Sequence, residues 1–328
     1  MREYIIAAQD EGQTVIKYLE KVLPGAKGAV VFKALRKKNI VLNNGKTTGK
    51  EVLNKGDSLK VFFSDEVMEK FGPRSSSSPE KQVKKEELKG FKKNIVFEDD
   101  NVLIINKDPD LLSQSDASGE KSLNDLLLSY LAPSTKNYAV KPSVCNRLDR
   151  NTSGLVLCGK TQKGLKELSA VLKDRSLSKY YYAICLGEIK EKLLLKGFLT
   201  RDKENNKSVI TAEKTGNDAD SVETEVKPAG RLKVKGHILT LAEVHLITGK
   251  THQIRAHMLS AGFPLIGDIK YCTPESLRIS EELSVKRQML HAFRVVFPKI
   301  NKDLSYLSGR TFEAPVKDDM NALLKYRM

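Results

Sequence analysis

The stretch from Glu66 to Lys93 is the feature that most constrains how this chain can fold. Within it runs GPRSSSSPEKQVKKEELKGFKK, with a serine run, two prolines, clustered charges and few large apolar side chains. Such a composition buries too little surface to offset the entropy of ordering it, and loops of this length inside one compact unit are uncommon. Residues 66–93 therefore predict a flexible linker. It divides the chain into a small unit, residues 1–65, and a large one, residues 94–328.

The small unit predicts two helices and two short strands. Over Thr14–Val22, Val15, Leu19 and Val22 recur at helical spacing. Ala29–Lys38 predicts a second helix, with Val31, Phe32 and Leu35 as its apolar stripe and Lys33, Arg36 and Lys37 on the opposite face. IVLNNGK then reads as a strand with a turn at Asn44-Gly45, and SLKVFF as a strand after a Lys55-Gly56-Asp57 turn. Between Lys27 and Lys60 stand nine Lys or Arg against two carboxylates, so about half of the chain's net charge of +15 falls in a tenth of its length. A row of cations on one helix, backed by a lysine-bearing hairpin, suits tracking of phosphates better than mere solvation. The candidate nucleic-acid-contacting residues are Lys33, Arg36, Lys37, Lys38 and Lys46.

Several function classes are set aside at this stage. No apolar run approaches the length of a membrane span, and the charged first residues lack the apolar region of a secretory signal. Four separated cysteines give neither a disulfide scaffold nor a zinc framework, which fits a reducing, cytoplasmic setting. His252 and His257 are five apart on an expected helix, on different faces, and His237, His245 and His291 have no partner at ligand spacing. All five read as packing or hydrogen-bonding histidines, and no metal is expected. Gly154–Thr161 formally matches the phosphate loop GxxxxGK[ST]. Its variable residues, Leu155 to Cys158, read as a buried strand, which argues against an ATP site.

In the large unit, strand-like and helix-like segments alternate without regular βαβ units, which predicts an α+β fold. Three segments carry chemistry. In Cys145–Lys160, Asp149 lies between Arg147 and Arg150, whose guanidiniums would favour its charged form, and Thr152-Ser153-Gly154 leads into an apolar strand. In Thr248–Leu259, a Thr248-Gly249 turn precedes a helix that Thr251 can cap, with Arg255 in its first turn. In Lys179–Gly187, strand alternation puts Lys179, Tyr181 and Ala183 on one face, and Tyr180 and Tyr182 on the other.

Together these segments resemble the RluA family of RNA pseudouridine synthases. The matching blocks are RLDRNTSGL at 147–155, KYYYA at 179–183, TGKTHQIRAH at 248–257, GFPLIGDIKY at 262–271 and RQMLHA at 287–292. Two departures stand out: Asn146 where the family has His, and Lys250 where it has Arg. Residues 10–63 resemble an S-four-like RNA-binding domain, a common companion of this family.

The resemblance implies a pseudouridine synthase fold, a mainly antiparallel sheet with flanking helices and a central cleft. The implied activity is isomerisation of uridine in structured RNA, large-subunit ribosomal RNA before transfer RNA. It implies no cofactor and a monomer. It makes Asp149 the catalytic carboxylate, by attack on the ribose or by a glycal route. Arg255 would be its partner, Tyr181 the aromatic on the target uracil that assists removal of the C5 proton, and Arg147 the residue filling the gap left by the flipped base. It places Thr152, Lys179 and Leu290 at the substrate. The competing reading is a non-catalytic RNA-binding or ribosome-assembly factor on the same scaffold.

Overall fold

The computed structural model describes residues 1–26, 28–71, 83–116, 118–135, 141–202, 207–216 and 218–328. The N-terminal part comprises β1 (Arg2–Ile5), α1 (Val15–Val22), α2 (Gly28–Arg36), β2 (Ile40–Leu42), β3 (Gly45–Lys46), β4 (Ser58–Val61) and α3 (Asp65–Phe71). Thr14 caps α1 by accepting from the Lys17 N–H. The strands pair antiparallel in the order β1-β4-β2-β3 over a core that includes Val15, Leu19, Val31, Leu35, Leu59 and Met68. The β2–β3 turn is Asn43-Asn44, one residue earlier than expected. Both residues have positive φ, +48° and +64°, as a two-residue hairpin loop demands and asparagine tolerates. Phe32, expected in the apolar stripe, is 48% exposed. It lies one turn from Arg36 and joins the basic face.

The stretch expected to be a flexible linker is helical at both ends. Residues 65–71 form α3 and residues 85–93 form α4 (Lys85–Lys93), while the serine run lies outside the described residues. Averaging composition over the whole stretch hid two anchors. Met68 is buried in the N-terminal core, and Phe91 in the core of the larger unit.

Beyond α4 the elements are β5 (Ile95–Glu98), β6 (Val102–Lys107), α5 (Leu123–Thr135), β7 (Ser143–Val144), β8 (Ser153–Gly159), α6 (Gln162–Lys173), β9 (Ser178–Leu186), β10 (Leu193–Asp202), β11 (Lys207–Thr211), β12 (Asp220–Val234), β13 (His237–Leu246), α7 (Gln253–Ser260), α8 (Pro274–Glu282), β14 (Leu290–Val296), β15 (Thr311–Glu313) and α9 (Asp318–Leu324). One sheet runs β11-β10-β12-β13-β9-β14-β8-β6-β5, with β7 beside β8 and β15 beside β14. Among the described residues its pairs are antiparallel except β14 with β8, so this is a mixed, mainly antiparallel α+β fold.

The central strands are covered on both faces. Leu103, Ile105, Val156 and Cys158 pack with Leu123 and Leu127 of α5. Their neighbours Ile104, Leu155 and Leu157 pack with Leu168 and Val171 of α6. Two-sided burial is why β8 reads as a continuous apolar run. It also disposes of the phosphate-loop match: Gly154–Gly159 is buried strand, and the Lys160 ammonium is paired with Glu98 at 2.6 Å.

Gly154 lies where β8 meets β14. Its φ is +115°, and a Cβ there would press into the backbone of Ala292. Gly154→Ala is expected to destabilise the protein by at least about 2 kcal/mol, since neither strand can retreat. Denaturant unfolding of the full chain measures this, and an unchanged midpoint would contradict the close approach.

Candidate active site

Asp149 sits on the loop between β7 and β8 and lines a cleft of about 790 Å³. The loop is held by its own carbonyls. Ser113 Oγ donates to Leu148 O at 2.9 Å, and the Thr152 N–H closes a turn onto Asp149 O at 3.0 Å. Lys107 Nζ reaches Arg150 O at 2.9 Å, and Arg287 Nη1 reaches Asn151 O at 3.0 Å. Asn146 fastens the loop to β8, accepting the Leu157 N–H at 2.7 Å. A turn with each of these groups satisfied presents its carboxylate in one place before any ligand arrives. Lys107 is 1% exposed and also donates to the carbonyls of Asp108 and Leu111. Burial, then the charge of Arg287, pushes its ammonium down to about 7.

Arg255 in the first turn of α7 joins two carboxylates. Its Nη1 donates to Asp149 Oδ2 at 3.1 Å. Its Nε and Nη2 fork onto Asp268 at 2.6 and 2.8 Å, and Asp268 also accepts the N–H groups of Lys270 and Tyr271. Burial alone would raise the Asp268 carboxyl, but Arg255 and the two N–H groups overcome it and hold that group below the usual carboxylate range. The guanidiniums expected to flank Asp149 are placed differently. Arg150 turns to Asp110 and Glu120, at 2.7 and 2.8 Å, and Arg147 is exposed on the cleft wall.

Tyr181 on β9 is 6% exposed and faces the same cleft. Burial, then the Asp149 charge, pushes its phenol up, so at neutral pH it offers a ring face and an O–H donor rather than a base. Thr152, Lys179 and Leu290 also line the cleft. Burial, then Arg175, lowers the Lys179 ammonium. The other face of β9 carries Tyr180, stacked on His245, and Tyr182, stacked on Phe293, as strand alternation predicts. Arg175, Arg201 and Lys250 add positive charge around the cleft, Lys250 paired with Asp220 at 2.7 Å.

The expected site residues Asp149, Tyr181, Arg255, Arg147, Thr152, Lys179 and Leu290 thus meet in one cleft. Lys33, Arg36, Lys37, Lys38 and Lys46 are exposed on the N-terminal part, apart from it. Sequence reading missed His252, Asp268 and Tyr271. His252 is not on the helix but precedes it, at φ +57°, where Thr251 was expected to act as cap. Its Nε2 is 3.8 Å from Asp149 Oδ2, and its Nδ1 is 3.0 Å from Tyr271 Oη. Gln253, 1% exposed, braces this turn through Thr248, the Lys250 N–H, Glu223 O and Thr224.

This sheet, with a carboxylate loop facing an arginine on a short helix, has the fold of pseudouridylate synthases. The solved human RNA pseudouridylate synthase domain-containing 1 superposes with a TM-score of 0.56 at 22% identity, over 71% of this chain and 87% of that one. Residues 101–260 match the RNA pseudouridylate synthase family. An uncharacterized RNA pseudouridine synthase of Mycoplasma genitalium is 28% identical over 303 residues, covering 91% of this chain and 90% of that protein. A ribosomal large subunit pseudouridine synthase C of Vibrio vulnificus is 28% identical over 293 residues, 87% of this chain and 85% of that protein. Residues 101–260 thus carry the pattern of the RNA pseudouridylate synthases, and the relatives that span most of the chain are named as RNA pseudouridine synthases, which are isomerases. Among the described residues no helix is long and apolar enough to cross a membrane.

Proposed function

We propose that this protein isomerises uridines in structured ribosomal RNA of the large subunit, in the cytoplasm, with Asp149 as the catalytic carboxylate. The observation that carries this is the Arg255 bridge. It fixes Asp149 Oδ2 from a residue that is itself locked to the buried Asp268. The carboxylate is thereby oriented toward a basic cleft with Tyr181 on its wall.

Inside the cleft the glycosidic bond of the target uridine breaks, the uracil turns, and ribose re-bonds to carbon 5, whose proton is released to solvent while N1 takes one up. Asp149 either attacks the anomeric carbon or removes a ribose proton. Tyr181 packs on the uracil, while Leu290 and Thr152 line the pocket around it. The target must leave its stack to bring its glycosidic bond to a carboxylate inside the cleft, and exposed Arg147 fills the gap that remains. Lys179 and the surrounding arginines hold phosphates. Residues 1–65 form the RNA-gripping unit and residues 94–328 the catalytic one. The large-subunit target rests on the relatives named for that activity, with transfer RNA as the alternative substrate.

Large-subunit rRNA and transfer RNA transcripts incubated with the protein, then mapped by carbodiimide adducts and primer extension, test the target. Discrete stops in ribosomal RNA support the proposal. Stops confined to transfer RNA overturn the ribosomal assignment, and stops in neither leave the non-catalytic factor as the better reading.

The exposed face of α2 gives a separate expectation. Replacing Lys33, Arg36 and Lys37 together by Gln should weaken RNA binding and flatten its salt dependence by about one unit of slope per lost phosphate contact. Filter binding from low to high salt measures this. An unchanged slope would remove α2 from the RNA interface.

A further inference from the structure

We propose that His252 is a further positioning residue of the isomerisation: a neutral imidazole whose Nε2–H is aimed at the Asp149 carboxylate. This rests on the reading of Asp149 as the catalytic group.

A chain of three groups assigns the tautomer. The Ser208 N–H donates to Tyr271 Oη at 2.6 Å. The phenol has one proton left to give, and its other partner is His252 Nδ1, at 3.0 Å. Burial, then the neighbouring Arg255 charge, acts against a second proton on the ring, although Asp149 favours one. With Nδ1 accepting from the phenol, the ring proton is carried by Nε2. That nitrogen is the one facing Asp149.

The backbone is set for the same purpose. His252 has φ +57° and ψ 14°, a left-handed conformation uncommon outside glycine. Its side chain makes no capping bond to α7. The strain is offset by Gln253, which ties down the turn, and by Tyr271, which meets the imidazole edge-on at 5.5 Å. Tyr271 also lies under the Arg255 guanidinium, 4.8 Å from ring centroid to Cζ. The two donors around Asp149 are thus supported by one tyrosine.

Both of those donors address a single carboxylate oxygen. Arg255 Nη1 and His252 Nε2 each approach Oδ2, at 3.1 and 3.8 Å. Oδ1 is the oxygen that these contacts leave for the reacting ribose. The His252 separation of 3.8 Å is longer than a hydrogen bond. When RNA fills the cleft, Nε2–H closes on Oδ2 and fixes which lone pair of Asp149 faces the sugar. If the ring gained a proton, its charge would compete with the sugar for the carboxylate. The charged and titratable groups around His252 are Asp149, Arg255, Asp268, Lys270 and Tyr271.

The geometry discriminates between two conservative variants. Gln places an N–H near the position of Nε2, and Asn near that of Nδ1. A merely structural role, tolerance of positive φ or the bond to Tyr271, favours Asn. Positioning of Asp149 favours Gln. Single-turnover tritium release from C5-labelled ribosomal RNA should therefore give His252→Gln within about tenfold of the parent rate, and His252→Asn about a hundredfold slower with RNA affinity little changed.

An Asn variant as fast as or faster than Gln overturns the proposal. A parent protein that releases no tritium contradicts the isomerase reading itself, and this inference falls with it. A parent that is active alongside an equally active Asp149→Asn removes the carboxylate on which His252 is said to act. The tautomer is checked without activity, by two-bond ¹H–¹⁵N spectra of the ¹⁵N-histidine-labelled full chain, with the His252 signals identified by their loss in His252→Gln. The Nε2–H pattern is expected, shifting toward a mixture in Tyr271→Phe. An Nδ1–H pattern contradicts the proposal whatever the rates of the variants.

Discussion

Asp149→Asn is expected to bind RNA within about twofold of the parent and to lose turnover by at least about a thousandfold, because the amide can neither attack nor take a proton. The substitution keeps the shape of the side chain. It leaves untouched the bonds that hold the loop, which run through the carbonyls of Leu148, Asp149, Arg150 and Asn151 and not through the carboxylate. Arg255 keeps its fork on Asp268, so no charge is stranded. Unfolding midpoints should coincide. A variant that retains a tenth of the parent rate would exclude Asp149 from the chemistry, and one that loses its fold would show that the loop depends on the carboxylate after all.

Arg255→Met is the second large effect, and it acts on stability as well as rate. Asp268 has no exposed side-chain surface, and Arg255 is its cationic partner. Removing one member of a buried pair costs about 3–5 kcal/mol, since the other is left charged without compensation. Denaturant unfolding measures the loss, and a change below about 1 kcal/mol would contradict the buried bridge. The pH dependence has a definite sign. The Asp268 value is depressed from 3.8 in the fold, so its stabilisation is complete above 3.8 and is lost as pH falls through the lower folded value. Arg255→Met should lack this acid-sensitive component. Arg255→Lys retains a cation but cannot fork onto Asp268 while reaching Asp149, so it should fall between the two in stability and near Arg255→Met in rate.

The site was legible where chemistry and sequence run together. Asp149, Arg255 and Tyr181 stood in three separate segments, and strand alternation alone placed Tyr181 on the face opposite Tyr180 and Tyr182. The partner of Asp149 was not legible from charge proximity: adjacent Arg150 pairs elsewhere, and the guanidinium arrives from a residue 106 positions away. His252 was obscured because its left-handed backbone takes it off the helix whose periodicity would have described it. Asp268 and Tyr271 sit in a loop without periodicity, and only the fold brings them under Arg255. Lys107 ends β6, and its three contacts are with backbone carbonyls, which sequence does not distinguish. At the domain level, Met68 and Phe91 were lost in a stretch dominated by charge and serine. Phe71 of α3 also packs on the N-terminal core, and Val83, just before α4, on the core that holds Phe91.

The most direct test of the account is tritium release into water from ribosomal RNA labelled at carbon 5 of uridine, comparing the parent and Asp149→Asn at equal RNA occupancy. The account predicts release by the parent, in proportion to pseudouridine formed, and none above background by the variant. Tight binding of the same RNA by both proteins with no release from either would contradict it.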